Sequence, residues 1–278
     1  MNVVTSEKFI PDWNIIIYMA AIHSVALLAL LPGNFSWGGF WIAFFLYWVT
    51  AGLGITLGFH RLATHRSFQT PKWLEYFFVF CGTLACRGGP IEWVGLHRIH
   101  HRFSDTEQDP HDSNRGFWWS HLFWMLCKNP ASKLVGRYTK DISNDPFYVF
   151  FQKYFIPIQV VLGLILFAIG GWSYVIWGIF VRLVLVFHVT WFVNSATHKF
   201  GYKTYESFDH STNCWWVALL TFGEGWHNNH HAYQYSARHG LAWWEIDFTW
   251  MTIVLLRTLG LAKDIKLADL KVAPVKES

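Results

Sequence analysis

Eight of the fifteen histidines fall in three tight groups: His60 and His65 in HRLATH, His97, His100 and His101 in HRIHH, and His227, His230 and His231 in HNNHH. Protonated, so many imidazoles together would repel one another, whereas neutral imidazoles each offer a lone pair suited to a transition metal. On an α-helix, HxxHH brings its three rings within about 100° of arc, so each such group is expected to present one three-nitrogen surface. The five-residue spacing of HRLATH differs, because its rings would diverge by about 140° on a regular helix. It fits a helix that ends at His60 and a turn that returns His65. Eight ligands over-fill one ion, so two metals are expected. Imidazole suits Zn, Cu, Fe and Ni alike, and spacing does not choose among them. A structural zinc site needs only four ligands, commonly with cysteines, so thiol-free histidine boxes point to a redox or oxygen-activating centre. Soluble di-iron bundles use paired Glu-x-x-His motifs, and here only Glu224 to His227 matches. The isolated His23, His111, His121, His188, His210 and His239 are read as ordinary satisfied polar residues.

The elements that must position these groups are apolar. The chain of 278 residues is 53% hydrophobic and 14% charged, against about 25% charged in an average globular protein. Segments 15–31, 39–59 and 155–193 are long enough to cross a hydrocarbon core of about 30 Å, and Gly170-Gly171-Trp172-Ser173 offers a turn inside the last. This gives an all-α integral membrane protein with four spans in two hairpins, at about 15–31, 39–59, 152–170 and 174–194. A single domain over 1–278 is expected, with a helical cap at 60–151 and 195–278. The linkers 32–38 and 170–173 carry no charge, whereas 60–153 holds twelve Lys or Arg. By the positive-inside rule, both termini, the cap and every histidine box are cytoplasmic. Arg182 lies inside the fourth span and is expected to face the bundle or a polar neighbour. The apolar stretches 73–86, 118–127, 215–222 and 242–261 read as interfacial or cap helices. Cys81, Cys86, Cys127 and Cys214 form no CxxC pair and read as reduced packing residues. A net charge of +4 reflects orientation in the membrane and gives no reason to expect nucleic-acid binding.

The stretches GITLGFHRLATHRSF, EWVGLHRIHHRFSDTEQDPHDSNRGFWWSH and NSATHKFGY followed by GEGWHNNHH, in that order, resemble the membrane fatty-acid desaturases. The likeness runs from about residue 13 to 262. It is to the Δ9 branch, which contains the stearoyl-CoA and the cyanobacterial acyl-lipid enzymes; a short N-terminus without a fused cytochrome b5 domain looks more like the latter. The resemblance implies that His60, His65, His97, His100, His101, His227, His230 and His231 hold two irons. It adds His198 of NSATH as a ninth ligand and Asn194 as a residue reaching the second metal through water. The activity implied is O2-dependent insertion of a cis double bond at Δ9 of a stearoyl or palmitoyl chain, most simply a lipid-linked one, with an acyl-CoA substrate as the alternative.

Removing hydrogen from an unactivated methylene needs an oxidant made from O2 and two electrons, so the protein must orient the chain and exclude water. No catalytic residue beyond the metal ligands is expected. Glu92, Asp105, Glu107, Asp109, Asp112 and Glu224 are candidates to fix ring tautomers, and Trp48 and Gly52, four apart, are candidates to limit the substrate tunnel. No nucleotide-binding fingerprint occurs, so electrons are expected from a separate donor, ferredoxin or alternatively cytochrome b5, steered by the basic central segment. A bacterial inner or thylakoid membrane is the expected location. Two rival readings are a membrane di-iron hydroxylase or alkane monooxygenase, and, from another class, a membrane metal transporter. A transporter would carry ionisable residues through its spans, whereas these boxes sit at the span ends and beyond.

Overall fold

A computed structural model describes residues 10–270; the expected domain and cap boundaries at residues 1 and 278 lie outside the described residues. Three of the helices begin at a polar residue that satisfies free N–H groups of the first turn. Asp12 accepts from the backbone of Asn14 at 3.1 Å and opens α1, Trp13–Leu27. Ser36 accepts from Gly39 at 3.0 Å and opens α2, Trp37–Tyr47. That helix continues without a break as a π-helix, Trp48–Thr64. Two shorter helices follow, α3 at Lys72–Thr83 and α4 at Pro90–Phe103, then the small α5 at Phe117–His121 and α6 at Val135–Tyr138. Asp145 caps α7, Pro146–Val175, and a π-helical stretch Ile176–Val181 leads into α8, Arg182–Ser195. The C-terminal third supplies α9 at Trp215–Leu220, α10 at His227–Ala232 and α11 at Phe248–Thr258. Among the described residues there is no strand, only isolated bridges.

Three helical stretches are long and apolar enough to cross a bilayer: Trp13–Leu30, Trp37–Thr64 and Pro146–His198. The last, of 53 residues, is interrupted where the sequence placed a turn. Gly170 and Gly171 leave helical geometry, and Gly171 takes φ +64°, a left-handed conformation that favours glycine. Leu166 and Ile179, on either side of the break, enter the same hydrophobic cluster with Met19 and Phe187, so the two limbs pack against each other. Outward-facing side chains such as Leu164, Ile169 and Trp172 are exposed, as suits a surface covered by lipid.

Arg182 is fully buried at the start of α8, where its Nε donates to the Gly178 carbonyl at 3.1 Å and its Nη1 to Leu84 at 2.6 Å. It thereby satisfies the turn between α3 and α4, which is the bundle-facing role expected of it. The four cysteines are free. The long π-helix and α3 meet at glycines: a Cβ on Gly54 would lie 2.4 Å from the Gly82 backbone nitrogen. Backbone cannot move aside as a flexible side chain can. Gly54→Ala is therefore expected to cost about 2 kcal/mol or more through overpacking, read as a lower thermal midpoint in detergent; an unchanged midpoint would rule out this close crossing.

Candidate metal centre

The histidine boxes converge from four elements. The end of the π-helix supplies His60 and His65, α4 supplies His97, His100 and His101, the 3-10 turn after α8 supplies His198, and α10 supplies His227, His230 and His231. One ring nitrogen from each falls into one of two groups, His60, His65, His97, His101 and His230 in the first, and His100, His198, His227 and His231 in the second, with the nitrogens of a group within 4.8 Å of one another. The groups adjoin, since the His101 and His231 ring centroids are 4.7 Å apart.

Two details correct the sequence reading. Neither HxxHH presents a single surface: His97 and His101 turn to the first group while His100 turns to the second, and His227 and His231 turn away from His230. At 100° per residue, positions i and i+4 differ by 40°, whereas i+3 and i+4 differ by about 100°, so each box faces two centres. Nor does the second long helix end at His60. It runs on as a π-helix, and the His65 amide donates to the His60 carbonyl at 3.1 Å. An i→i+5 turn is what a five-residue spacing needs to bring two rings together, and their centroids are 4.8 Å apart.

The outer nitrogens of four of the nine rings are held by carboxylates. His60 Nδ1 lies 2.6 Å from Glu224, His100 Nδ1 3.0 Å from Asp109, His198 Nδ1 3.0 Å from Asp105 and His231 Nδ1 2.5 Å from Asp209. An Nδ1–H donated outward leaves Nε2 as a bare lone pair. Yet the Nε2 atoms converge: those of His100 and His231, both bared in this way, face each other at 3.4 Å, that of His230 lies 3.1 Å from His60 and 2.9 Å from His101, and that of His198 lies 3.2 Å from His227. Opposed lone pairs repel unless a cation lies among them, and this donor set therefore fits a metal ion in each group. Electrostatics agree. The rings of His97, His101, His227 and His230 are held well below the usual histidine range, first by burial and then by neighbouring imidazoles, so they are neutral and available as ligands at pH 7. Burial alone would raise the Asp209 carboxyl, but His231 beside it holds it far below the ordinary range.

Of the six acidic candidates, Asp105, Asp109 and Glu224 touch histidines of the two groups. Glu92 borders the main cavity without a histidine bond, Asp112 caps Asn114, and Glu107 lines a second cavity. Asp209 was not singled out by sequence; its signal is its place in the loop between NSATH and HNNHH. His111 and His239, set aside as isolated, lie against Asp109 and Glu224, at 3.6 and 3.3 Å. Asp209→Asn keeps the shape but removes the charge behind His231, and is expected to weaken metal binding about 10–100-fold at that group, as read by metal titration of the purified protein.

A cavity of about 460 Å³ opens beneath both groups, within the range of pockets that take one ligand. Its walls include His60, His97, His227, Trp93 and Asn194 near the imidazoles, Ile55 and Thr56 on the π-helix, Tyr18 and Met19 on α1, and Lys128 and Asn129 at a polar rim. Trp48 and Gly52 do not border it. They face each other, with a Cβ on Gly52 3.2 Å from the Trp48 ring, and Trp48 is 41% exposed on the outer surface.

Residues 35–254 match the family model described as fatty acid desaturase. An sn-1 stearoyl-lipid 9-desaturase of Anabaena variabilis is 65% identical over 98% of this chain and 100% of its own length. A protein of the same description from Synechocystis is 70% identical over 95% of this chain and 83% of its own, and an sn-2 palmitoyl-lipid 9-desaturase of Nostoc is 47% identical over 91% and 90%.

Proposed function

This chain belongs to the fatty acid desaturase family, and from that premise we propose that it inserts a cis double bond at the Δ9 position of a saturated acyl chain carried on a membrane lipid. The observation that carries the reading is the junction of two groups of imidazoles with one apolar cavity. His60, His65, His97, His101 and His230 would hold one iron, and His100, His198, His227 and His231 the other, with Asn194 facing the second through water. Bound there, the irons supply the oxidising chemistry: the saturated chain, O2, two electrons and two protons become the alkene and two waters. Everything else falls to the protein. Neighbouring methylenes are chemically alike, so the bond's position is set by where the cavity holds the chain beneath the imidazoles. The buried walls exclude water, and the carboxylates behind four of the rings fix the Nδ1–H tautomer and aim the Nε2 atoms inward.

Four spans in two hairpins, the second turning at Gly170–Gly171, account for the antiparallel packing across that break. With uncharged linkers opposite the basic central segment, the histidines and the helical cap lie on the cytoplasmic face. The electron donor is an acidic ferredoxin-like protein, steered by exposed bases such as Arg137 and Lys140. Expressed with ferredoxin in a host lacking Δ9 unsaturation, the chain should yield lipid-esterified products with the double bond between carbons 9 and 10, mapped by mass spectrometry. A hydroxylated chain, a bond elsewhere, or product confined to acyl-CoA would refute this reading.

A further inference from the structure

We propose that the acyl cavity opens sideways into the bilayer through a slot between α1 and α7, and that the substrate chain enters there directly from a membrane lipid, without crossing water. The inference rests on the acyl-lipid reading above. Of the described residues that line the cavity, only Asn14, Lys128, Ser132 and Ile156 are exposed, so these four mark where it meets the outside. Lys128 and Ser132 belong to the polar rim. Ile156 does not: it is 40% exposed on α7, and Val160, one turn further along the same helix face, is exposed as well. The facing stretch of α1 has the same two sides. Trp13 and Ile17 are exposed, whereas Ile15, Tyr18 and Met19 line the cavity, so a single thickness of helix separates the cavity from the outer apolar surface.

Both sides of the slot are fixed at its ends and free between them. α7 bends at this level, where Tyr154 leaves helical geometry at φ −112°, ψ 16° and Pro157 follows inside the helix. Proline has no N–H for the carbonyl four residues back, and its ring crowds that carbonyl, so the helix kinks. Before the bend, the Gln152 amide oxygen accepts from the backbone of Ile91 and Glu92 at 3.0 and 3.1 Å. After it, Gln159, with its amide turned to match donors to acceptors, accepts from the Arg182 guanidinium at 2.6 Å. α1 is tied at two levels too. At its start the Asp12 amide donates to the Leu126 carbonyl at 2.8 Å. Further in, His23 Nε2 lies 3.2 Å from His188 Nε2 on α8, and His188 meets His121 at 3.1 Å. Among the described residues, no hydrogen bond or ion pair joins α1 to α7.

An opening flanked by apolar side chains suits an acyl chain, which leaves one apolar surrounding for another and exposes no hydrocarbon to water on the way. A chain delivered on a water-soluble carrier would have to pass Lys128 and Ser132 instead. On the four-span reading, Ile15 and Ile156 both stand near the cytoplasmic ends of their spans, the depth at which an ester-linked chain leaves its glycerol.

The test uses the full chain, iron-loaded and supplied with ferredoxin and its reductase, in vesicles of a non-substrate ether lipid that hold monogalactosyl diacylglycerol with stearate at sn-1. Ile156→Trp should plug the slot and lower steady-state kcat/KM about tenfold, the factor that about 1.4 kcal/mol of added barrier gives. Its first turnover, started by adding reductant to protein already equilibrated with the lipid, should keep the parent rate, because the chain is then inside. Val160→Trp, on the outer face but not in the cavity wall, should match the parent in both measurements, with iron content as the control for folding. In the iron-free chain, the same lipid carrying a diazirine beside its ester should, on irradiation, label Ile15, Tyr18, Phe155 or Ile156. An unchanged kcat/KM or a slowed first turnover in Ile156→Trp, a larger loss for Ser132→Trp than for Ile156→Trp, or labelling confined to the polar rim would overturn the proposal. A parent enzyme that leaves the lipid saturated would overturn the acyl-lipid reading instead.

Discussion

His230→Ala is expected to abolish double-bond formation while leaving the protein in the membrane. Its Nε2 stands between those of His60 and His101, at 3.1 and 2.9 Å, so no other ring of the first group can move into its place without breaking its own alignment. Loss of a ligand at this point should reduce bound iron from about two per chain to about one. It should also remove at least about 4 kcal/mol of transition-state stabilisation, a fall of roughly 10³-fold or more in rate. The comparison is His210→Ala. That ring lies outside both groups, on the surface, where it meets Asn114, and its loss should stay within the roughly ±0.5 kcal/mol of ordinary surface substitutions. Metal analysis and product assay on the two variants check the contrast; equal losses in both would mean that the first group has no special role.

Arg61→Met is expected to be the most destabilising single change in the site. Arg61 is fully buried, and its guanidinium donates to Glu224 through Nε and Nη2 at 3.3 and 3.1 Å, and through Nη1 to Asp247 at 3.0 Å and the Ala237 carbonyl at 2.7 Å. Asp247 in turn accepts from the backbone of His239 and Gly240, and Glu224 holds His60. Methionine fills the stem's volume but leaves two carboxylates buried without their cation, which costs about 3–5 kcal/mol. The same change frees Glu224 to swing from His60, so iron affinity should fall along with stability. Arg61→Lys keeps the charge but cannot span two carboxylates with a planar fork, and should recover only part of the loss. Thermal unfolding and iron titration of both variants in detergent provide the check; a Met variant as stable as the parent would show that the carboxylates are satisfied from elsewhere.

Much of the centre was legible in the sequence because imidazole is rare enough that clustering alone marks a site. The helix break at Gly170–Gly171 was legible because paired glycines inside an apolar run leave the backbone unconstrained. What could not be seen depended on tertiary geometry. The split of each HxxHH between two centres follows from a 100° step that means nothing until a second centre is placed beside it. The continuation past His60 needed π-helical hydrogen bonding, for which no composition rule exists. Asp209 pairs with His231 from 22 positions earlier in the chain, with α9 between them, and His239 reaches Glu224 from beyond the last box; neither carries a local pattern. Trp48 and Gly52 stand beside each other as their spacing required, but neither borders the cavity.

The most direct measurement is iron quantification with X-ray absorption spectroscopy on purified, catalytically competent protein. The expected result is about two irons per chain in shells dominated by imidazole nitrogen, with each iron detecting the other nearby. Active protein with fewer than one iron, with zinc in its place, or with shells dominated by carboxylate oxygen would contradict it.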